Sequence, residues 1–282
     1  MALSIKDLVK TGPSTVPPRI GIYGPQAIGK TTFVAQAPSP IGLLTEDGIG
    51  KLDFPRVHCD DYETLISAVD SLLKDDHSYK SVFIDSLDWT EQKLFKKVCR
   101  DEGVQNIEAF GYGKGYTFAL TEWGKLLSKL DELRTKKGML IILVGHSIVK
   151  TFNPPDSESY DRYRLDLNEK AASLILDWLD ILLFASYRTR LKESEDGKRR
   201  LAIGEGERML YTEERPAFWA KNRYQLPFEI PLSWQAFTGA MKGAKKHEGK
   251  TEAGPTDGRT VLPGSRDRKV DALQAVGGEQ GT

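Results

Sequence analysis

Gly24-Pro25-Gln26-Ala27-Ile28-Gly29-Lys30-Thr31-Thr32 is the stretch whose reading decides the fold. It has the form G-x-x-x-x-G-K-T, a loop whose backbone N–H groups point inward around a chain of phosphates. Gly24 and Gly29 let the backbone wrap, with Pro25, Gln26, Ala27 and Ile28 between them and Thr32 just after. Lys30 is placed to reach the β- and γ-phosphates, and the Thr31 hydroxyl to complete the shell of Mg²⁺. A strand-like run, Arg19 to Tyr23, precedes the loop, and Thr31 to Ala37 can open a helix behind it. That helix start adds free N–H groups and a favourable dipole for an anion. Strand, loop and helix in this order distinguish the motif from a chance match in a glycine-containing turn. ATP and Mg²⁺ are the expected ligands.

Working outward, short apolar runs alternate with amphipathic ones. Ile41 to Thr45 reads as a second strand and Ser81 to Asp85 as a third. Between them, Tyr62 to Lys74 has apolar residues at 62, 65, 66, 69, 72 and 73, which is helical spacing. Trp89 to Cys99, Phe118 to Leu133 and Ala171 to Asp180 read as further helices. Met139 to Gly145 and Ile181 to Ala185 are nearly continuous apolar runs, the signature of strands buried on both faces. The alternation predicts an α/β P-loop core, a mostly parallel sheet flanked by helices. Past 186 the character changes. Residues 186–204 read as a hairpin around Asp196-Gly197, and Met209 to Tyr211 as another strand, together a β-rich C-terminal appendage. Residues 243–282 hold eight glycines and no aromatic, the composition of a disordered tail. The expected organisation is a lead-in over 1–18, one ATPase domain over 19–240 and the tail over 243–282.

Bulk properties narrow the function. Among 282 residues, 40 Lys and Arg balance 40 Asp and Glu, so a nucleic-acid site would have to be a local patch. Cys59 and Cys99 form neither a disulfide framework nor a metal set, which points to a reducing compartment. No apolar run approaches roughly 18 residues, and the N-terminus lacks the apolar core of a signal peptide. A soluble, cytoplasmic protein without a membrane partner is expected.

A P-loop needs an acid at the end of a neighbouring strand to hold the water shell of Mg²⁺, and Asp85 ends one. Position 86 is Ser, so no glutamate directly follows the metal acid. Glu46, at the end of the second strand, is the better candidate for orienting the attacking water, with Asp47 and Asp88 as rivals. Parallel strand ends share one side of the sheet, so Glu46 and Asp85 can face the same nucleotide. His146 follows the strand 139–145. There it reads either as a sensor of the γ-phosphate or as a capping histidine.

Taken together, these residues resemble the RecA-type recombinase core. Val82-Phe83-Ile84-Asp85-Ser86-Leu87 is similar to that family's metal-binding strand, and Thr45-Glu46-Asp47-Gly48 to the stretch holding its catalytic glutamate. Gly145-His146, the run Phe110 to Tyr116, and Lys221-Asn222-Arg223 resemble the short, phage-encoded, RecA-like single-strand-annealing ATPases of the Sak type. The likeness spans about 15–240. Two departures stand out: bacterial recombinases carry Gln where this chain has His146, and no clear N-terminal polymerisation module precedes the core. The resemblance implies DNA-stimulated ATP hydrolysis in recombination or strand annealing, in a host cytoplasm. It also implies a homo-oligomer with active sites at subunit interfaces, Lys221 and Arg223 acting on the neighbour's γ-phosphate, and a single-strand-binding protein as a further partner.

Two segments are candidates to hold single-stranded DNA. Residues 109–118 interleave Phe110, Tyr112, Tyr116 and Phe118 with glycines and Lys114. Residues 147–164 contain Lys150, Phe152, Tyr160, Arg162, Tyr163 and Arg164. Aromatic faces stack bases and cations track phosphates without sequence preference. A lid or an oligomer contact would use the same residues. Two other functions remain open at this stage: a P-loop kinase for a small molecule, with Arg188 and Arg190 as lid residues, and a non-catalytic, ATP-switched DNA-binding or assembly protein.

Overall fold

Successive residues of each central strand point to opposite sides, and both sides are apolar. In β4 (Ser81–Asp85), Val82 and Ile84 enter one core while Phe83 enters the other. In β5 (Leu140–Phe152), Ile141 and Leu143 face the first core, Ile142 and Val144 the second. Such strands are stable only when helices cover both faces, which gives three layers. A computed structural model describes residues 16–156, 158–193 and 200–248, together with 9, 11 and 12.

The sheet runs β10-β8-β7-β1-β5-β4-β2-β3. Six strands at its centre and one edge are mutually parallel: β7 (Ile181–Glu193), β1 (Arg19–Gly24), β5, β4, β2 (Pro40–Leu44) and β3 (Arg56–His58). β8 (Arg200–Tyr211) runs antiparallel to β7, and β10 (Glu229–Pro231) antiparallel to β8. The short β9 (Lys221–Asn222) pairs with the start of β7. β6 (Tyr160–Leu165) pairs antiparallel with the outer half of β5. The larger core is covered by α2 (Tyr62–Lys74), α3 (Leu87–Asp101), α4 (Lys114–Lys136) and α5 (Glu169–Trp178). The second face is covered by the one-turn α1 (Lys30–Val34) and by α6 (Trp234–Glu248), through Phe33, Trp234 and Phe237.

Local chemistry sets the helix starts. The Asp61 carboxylate accepts the Thr64 N–H at 2.8 Å and caps α2. Asn168 does the same for α5 through the Lys170 N–H at 3.1 Å. Such caps are worth about 1 kcal/mol each. At the lower end of the sheet, Asp180 takes two bonds from the Arg19 guanidinium, at 3.1 and 2.9 Å, and a third from its backbone N–H.

The α/β core with its parallel centre is as the sequence predicts, and several boundaries differ. The strand expected at 139–145 does not stop. It continues to Phe152 and folds back through β6, so residues 147–152 and 160–165 form a β arm where an irregular loop is expected. Residues 109–118 divide between a 3₁₀ turn (Ile107–Phe110) and the start of α4 at Lys114. The predicted hairpin and the strands flanking it merge into one long ladder, β7 with β8, which widens the main sheet. Its Asp196-Gly197 turn lies outside the described residues. The predicted tail starts too early, since α6 runs through Glu248; residues 249–282 lie outside the described residues. The short β3, β9 and β10 lack the length that periodicity needs to be visible.

Candidate nucleotide site

β1 ends at Gly24, where the chain leaves the sheet and turns back into α1. A Cβ on Gly24 would lie 2.2 Å from the Ala185 carbonyl oxygen, so only glycine lets β1 exit this close to β7. Ala27 at φ 58° and Gly29 at φ 109° carry the wrap onward in the left-handed region, where glycine has the least cost. The buried Lys30 ammonium folds back across the loop and donates to Gly24 O at 2.9 Å and Pro25 O at 2.8 Å.

The ends of β1, β2, β4 and β5 converge on one cavity of about 450 Å³, lined by Lys30, Thr31, Glu46, Asp85 and His146 among others. Thr31 Oγ1 donates to Asp85 Oδ2 at 2.7 Å. Two hard oxygen donors this close to a Lys-bearing phosphate loop fit an Mg²⁺ that keeps several waters and takes its remaining ligands from phosphates. Burial pushes the Asp85 carboxyl up, while the Thr31 bond, Lys30 and His146 pull it back. Lys30 is pushed down by burial, opposed by Asp85, Asp88 and Glu46.

Glu46 stands at the mouth of β2, one residue past a buried hydroxyl knot. Thr45 donates its N–H to Asp85 O and its Oγ1 to Ser86 O, both at 2.8 Å, and accepts the Ser86 N–H at 3.0 Å. Thr90 Oγ1 joins on the same Ser86 carbonyl at 2.8 Å. The knot ties the end of β2, next to Glu46, to the end of β4 at Asp85. Burial raises the Glu46 carboxyl, His146 lowers it, and the acids Asp85 and Asp88 raise it further.

His146 is more than a lone polar residue at a strand end. Its Nδ1 lies 3.0 Å from both carboxylate oxygens of Asp88, in the first turn of α3, and its Nε2 lies 3.9 Å from Glu46 Oε1. The Asp88 hydrogen bond is the main influence raising the imidazole above its ordinary value; burial opposes it and Glu46 assists. Burial alone would raise Asp88, but its bonds to His146 and other partners hold it low. The result is a carboxyl–imidazole–carboxyl line with its open end on the cavity, in which Asp88 favours the protonated ring.

The other sequence-predicted residues lie elsewhere. Lys221 donates to Leu176 O at 2.6 Å and Asp177 O at 3.0 Å, capping α5, while Arg223 pairs with Asp180 at 3.1 Å. Asp180 sits where β7 begins, so the basic pair is at the opposite end of the sheet from its own P-loop. On the arm, Lys150, Arg162 and Arg164 share one face with Phe152 and Tyr160, since residues paired across a ladder and two apart along a strand point the same way. Arg162 corrects the expectation of a free cation. It is buried, bonded to Glu214 at 2.7 Å and Arg215 O at 3.1 Å, with its guanidinium over the Phe152 ring. Arg164 pairs with Glu169 at 3.3 Å and lies 4.4 Å over Trp219. Tyr112 is fully exposed at φ 48° beside Lys114, the first residue of α4.

Three site features escaped the sequence reading. Asp88 was read only as a rival base and emerges as the partner of His146. Thr45 sits directly before Glu46 without any motif to mark it. Arg208, from β8, reaches behind the P-loop to Ile28 O at 3.3 Å, a contact that nothing local announces.

A family model described as an AAA domain matches residues 16–224. No curated protein matches the chain. Among solved structures, the crystal structure of the RadB recombinase is similar at a TM-score of 0.45 and 14% identity, covering 78% of this chain and 90% of that one.

Proposed function

Because the chain belongs to the AAA domain family, we propose that it binds Mg·ATP at the P-loop and hydrolyses it, and that nucleotide state governs how the β5–β6 arm holds single-stranded DNA in phage-type recombination or strand annealing. One observation carries the reading. Lys30, Thr31, Asp85, Glu46 and His146 meet in a single cavity, and β5 runs unbroken from His146 into the arm.

Each residue has a physical task. Lys30 exchanges its loop carbonyls for phosphate oxygens, which are stronger acceptors because they are charged. Thr31 and Asp85 would hold Mg²⁺, which when bound supplies charge neutralisation on the β- and γ-phosphates. Glu46 accepts a proton from the attacking water, and burial brings its basicity toward the working pH. His146, whose protonated form Asp88 favours, stabilises the γ-phosphate and passes its presence along β5. Lys221 and Arg223, at the far end of the sheet, are suited to a neighbour's site in a head-to-tail assembly, not to their own. Among the described residues no helix is long and apolar enough to cross a membrane. A cytoplasmic location is part of the proposal.

The pH dependence follows from Asp88. A histidine with a raised folded value contributes stability and charge that are present below its unfolded value near 6.5 and lost as pH rises through the folded value. Asp88→Asn is therefore expected to move the alkaline fall of ATP turnover to lower pH. Each unit of displacement costs at most about tenfold in imidazolium, and only on the alkaline side of the transition. Coincident pH–rate profiles for wild type and variant would remove His146 from the mechanism.

The direct test is phosphate release from ATP with and without single-stranded DNA. Several-fold stimulation is expected. Turnover that ignores DNA would detach the arm from its role, and turnover appearing only with an added small-molecule acceptor would identify a kinase instead.

A further inference from the structure

The two candidate DNA segments meet at one cavity of about 290 Å³, between α3, the start of α4 and the base of the arm. Tyr116 reaches it from the first segment and Lys150 from the second. Phe95 lines it from α3, and Asp166 from just past β6. Asp88 and Glu91 complete the wall that α3 presents. ATP hydrolysis calls on Asp88 only through His146, and on neither Glu91 nor Asp166.

The chemistry of the walls selects an occupant. Tyr116 packs edge to face with Phe95, ring centroids 5.6 Å apart, and its hydroxyl donates to Glu108. An aromatic ring held in this way is a platform on which a flat base can stack. Of the three acids, Asp88 is taken by His146. Glu91 is 7% exposed; its Oε2 accepts the Asn168 N–H at 2.9 Å, while its Oε1 has no hydrogen bond among the described residues. Asp166 is exposed, and neither its carboxylate nor the Lys150 ammonium forms a hydrogen bond or an ion pair with a described residue. The acids disfavour a phosphate in this space, and Lys150 disfavours an organic cation. A neutral ring that donates on one edge and accepts on the next satisfies both. Among the DNA bases only guanine offers two adjacent donors, N1–H and N2–H₂, to one carboxylate, together with two acceptors, O6 and N7, to an ammonium.

We propose that this cavity takes one unstacked guanine, with Asp166 on its N1–H and N2–H₂ edge, Lys150 on O6 and N7, and Tyr116 against its face. The proposal rests on the reading in which the arm holds single-stranded DNA, and it adds a base preference to that reading. It also gives the strand a short route to the nucleotide. The cavity walls hold His146 twice, through the Asp88 carboxylate at 3.0 Å and through the Asp166 N–H, which donates to His146 O at 3.0 Å. Free guanine nucleoside carries the same donor and acceptor edges as a guanine in a strand.

Fluorescence anisotropy with the full chain tests this on labelled dT strands of about twenty nucleotides, carrying no other base or a single central dG, dA or dC. The dG strand is expected to bind roughly tenfold more tightly than the other three, the size of one bidentate base contact. Asp166→Ala and Lys150→Ala are each expected to erase that preference. Inosine in place of guanine lacks the N2 amino group, and is expected to lose part of the preference in the wild type with no change to the protein. Equal affinity for all four strands would overturn the pocket and leave the arm as a holder of strands. Binding of no strand would sink the arm reading, and titration with guanosine, which has no phosphate for the P-loop, then decides the pocket alone. Saturable guanosine binding that Asp166→Ala abolishes assigns the cavity to the free nucleoside; no guanosine binding overturns it.

Discussion

Lys30→Ala is expected to lower ATP turnover by about 10²–10³-fold, with ATP binding weakened in step. The ammonium is buried at the loop's centre and already aimed at two carbonyls that phosphate oxygens outcompete. It also offsets three acids, Asp85, Asp88 and Glu46, that face the same space. Without it, a polyanionic nucleotide would approach carboxylates that have lost their nearest fixed cation. The loss should therefore exceed that of one hydrogen bond and should be strongest at low Mg²⁺. Phosphate release and equilibrium binding, read beside far-UV circular dichroism to check folding, decide it. Binding at the wild-type level would take the nucleotide out of the P-loop.

Glu46→Gln separates hydrolysis from binding. Turnover is expected to fall by about 10²–10⁴-fold, with ATP affinity unchanged or improved because one negative charge has gone. The Thr45 knot should hold the amide where the carboxylate was, so structure is retained and only the proton acceptor is lost. Single-turnover phosphate release combined with ATP binding gives the split. If the variant turns over like the wild type, Asp47 becomes the remaining candidate, since Asp88 is engaged by His146. If wild type itself has negligible turnover and Glu46→Gln changes nothing, the chain is an ATP-switched assembly protein.

The parts of the fold visible in the sequence are those where local chemistry dictates position. Gly24 to Thr32 specify a wrap, Val82-Phe83-Ile84 a strand buried on both faces, and Tyr62 to Lys74 an amphipathic helix, and each occurs where it is read. The arm was hidden because Ser147 to Arg164 mixes charges and aromatics in alternation. That pattern suits an exposed ladder as well as a binding loop, and only pairing in space separates them. Arg162 shows the same limit. Its burial depends on Glu214, some fifty residues later, which no pattern within the arm could indicate. His146 is recognisable as a polar residue at a strand end and Asp88 as a rival for the base, but their 3.0 Å contact depends on α3 starting directly after β4. The gathering of Lys30, Asp85 and Glu46 at one end of the sheet was legible because parallel strands put their C-termini on one side.

The position of β1 governs how this protein is made. The strand that carries the P-loop is made well before the strands that flank it, since Arg19 pairs with Ile141 and Ile20 with Ile181. Its two edges therefore wait through most of synthesis, and the ladders that close on it are among the most non-local in the chain, which slows folding. A nascent chain stopped between β4 and β7 contains every residue of the phosphate and metal signature, but leaves β1 with an open edge that invites aggregation. Competence to bind nucleotide should thus arrive late and all at once, when β7 docks.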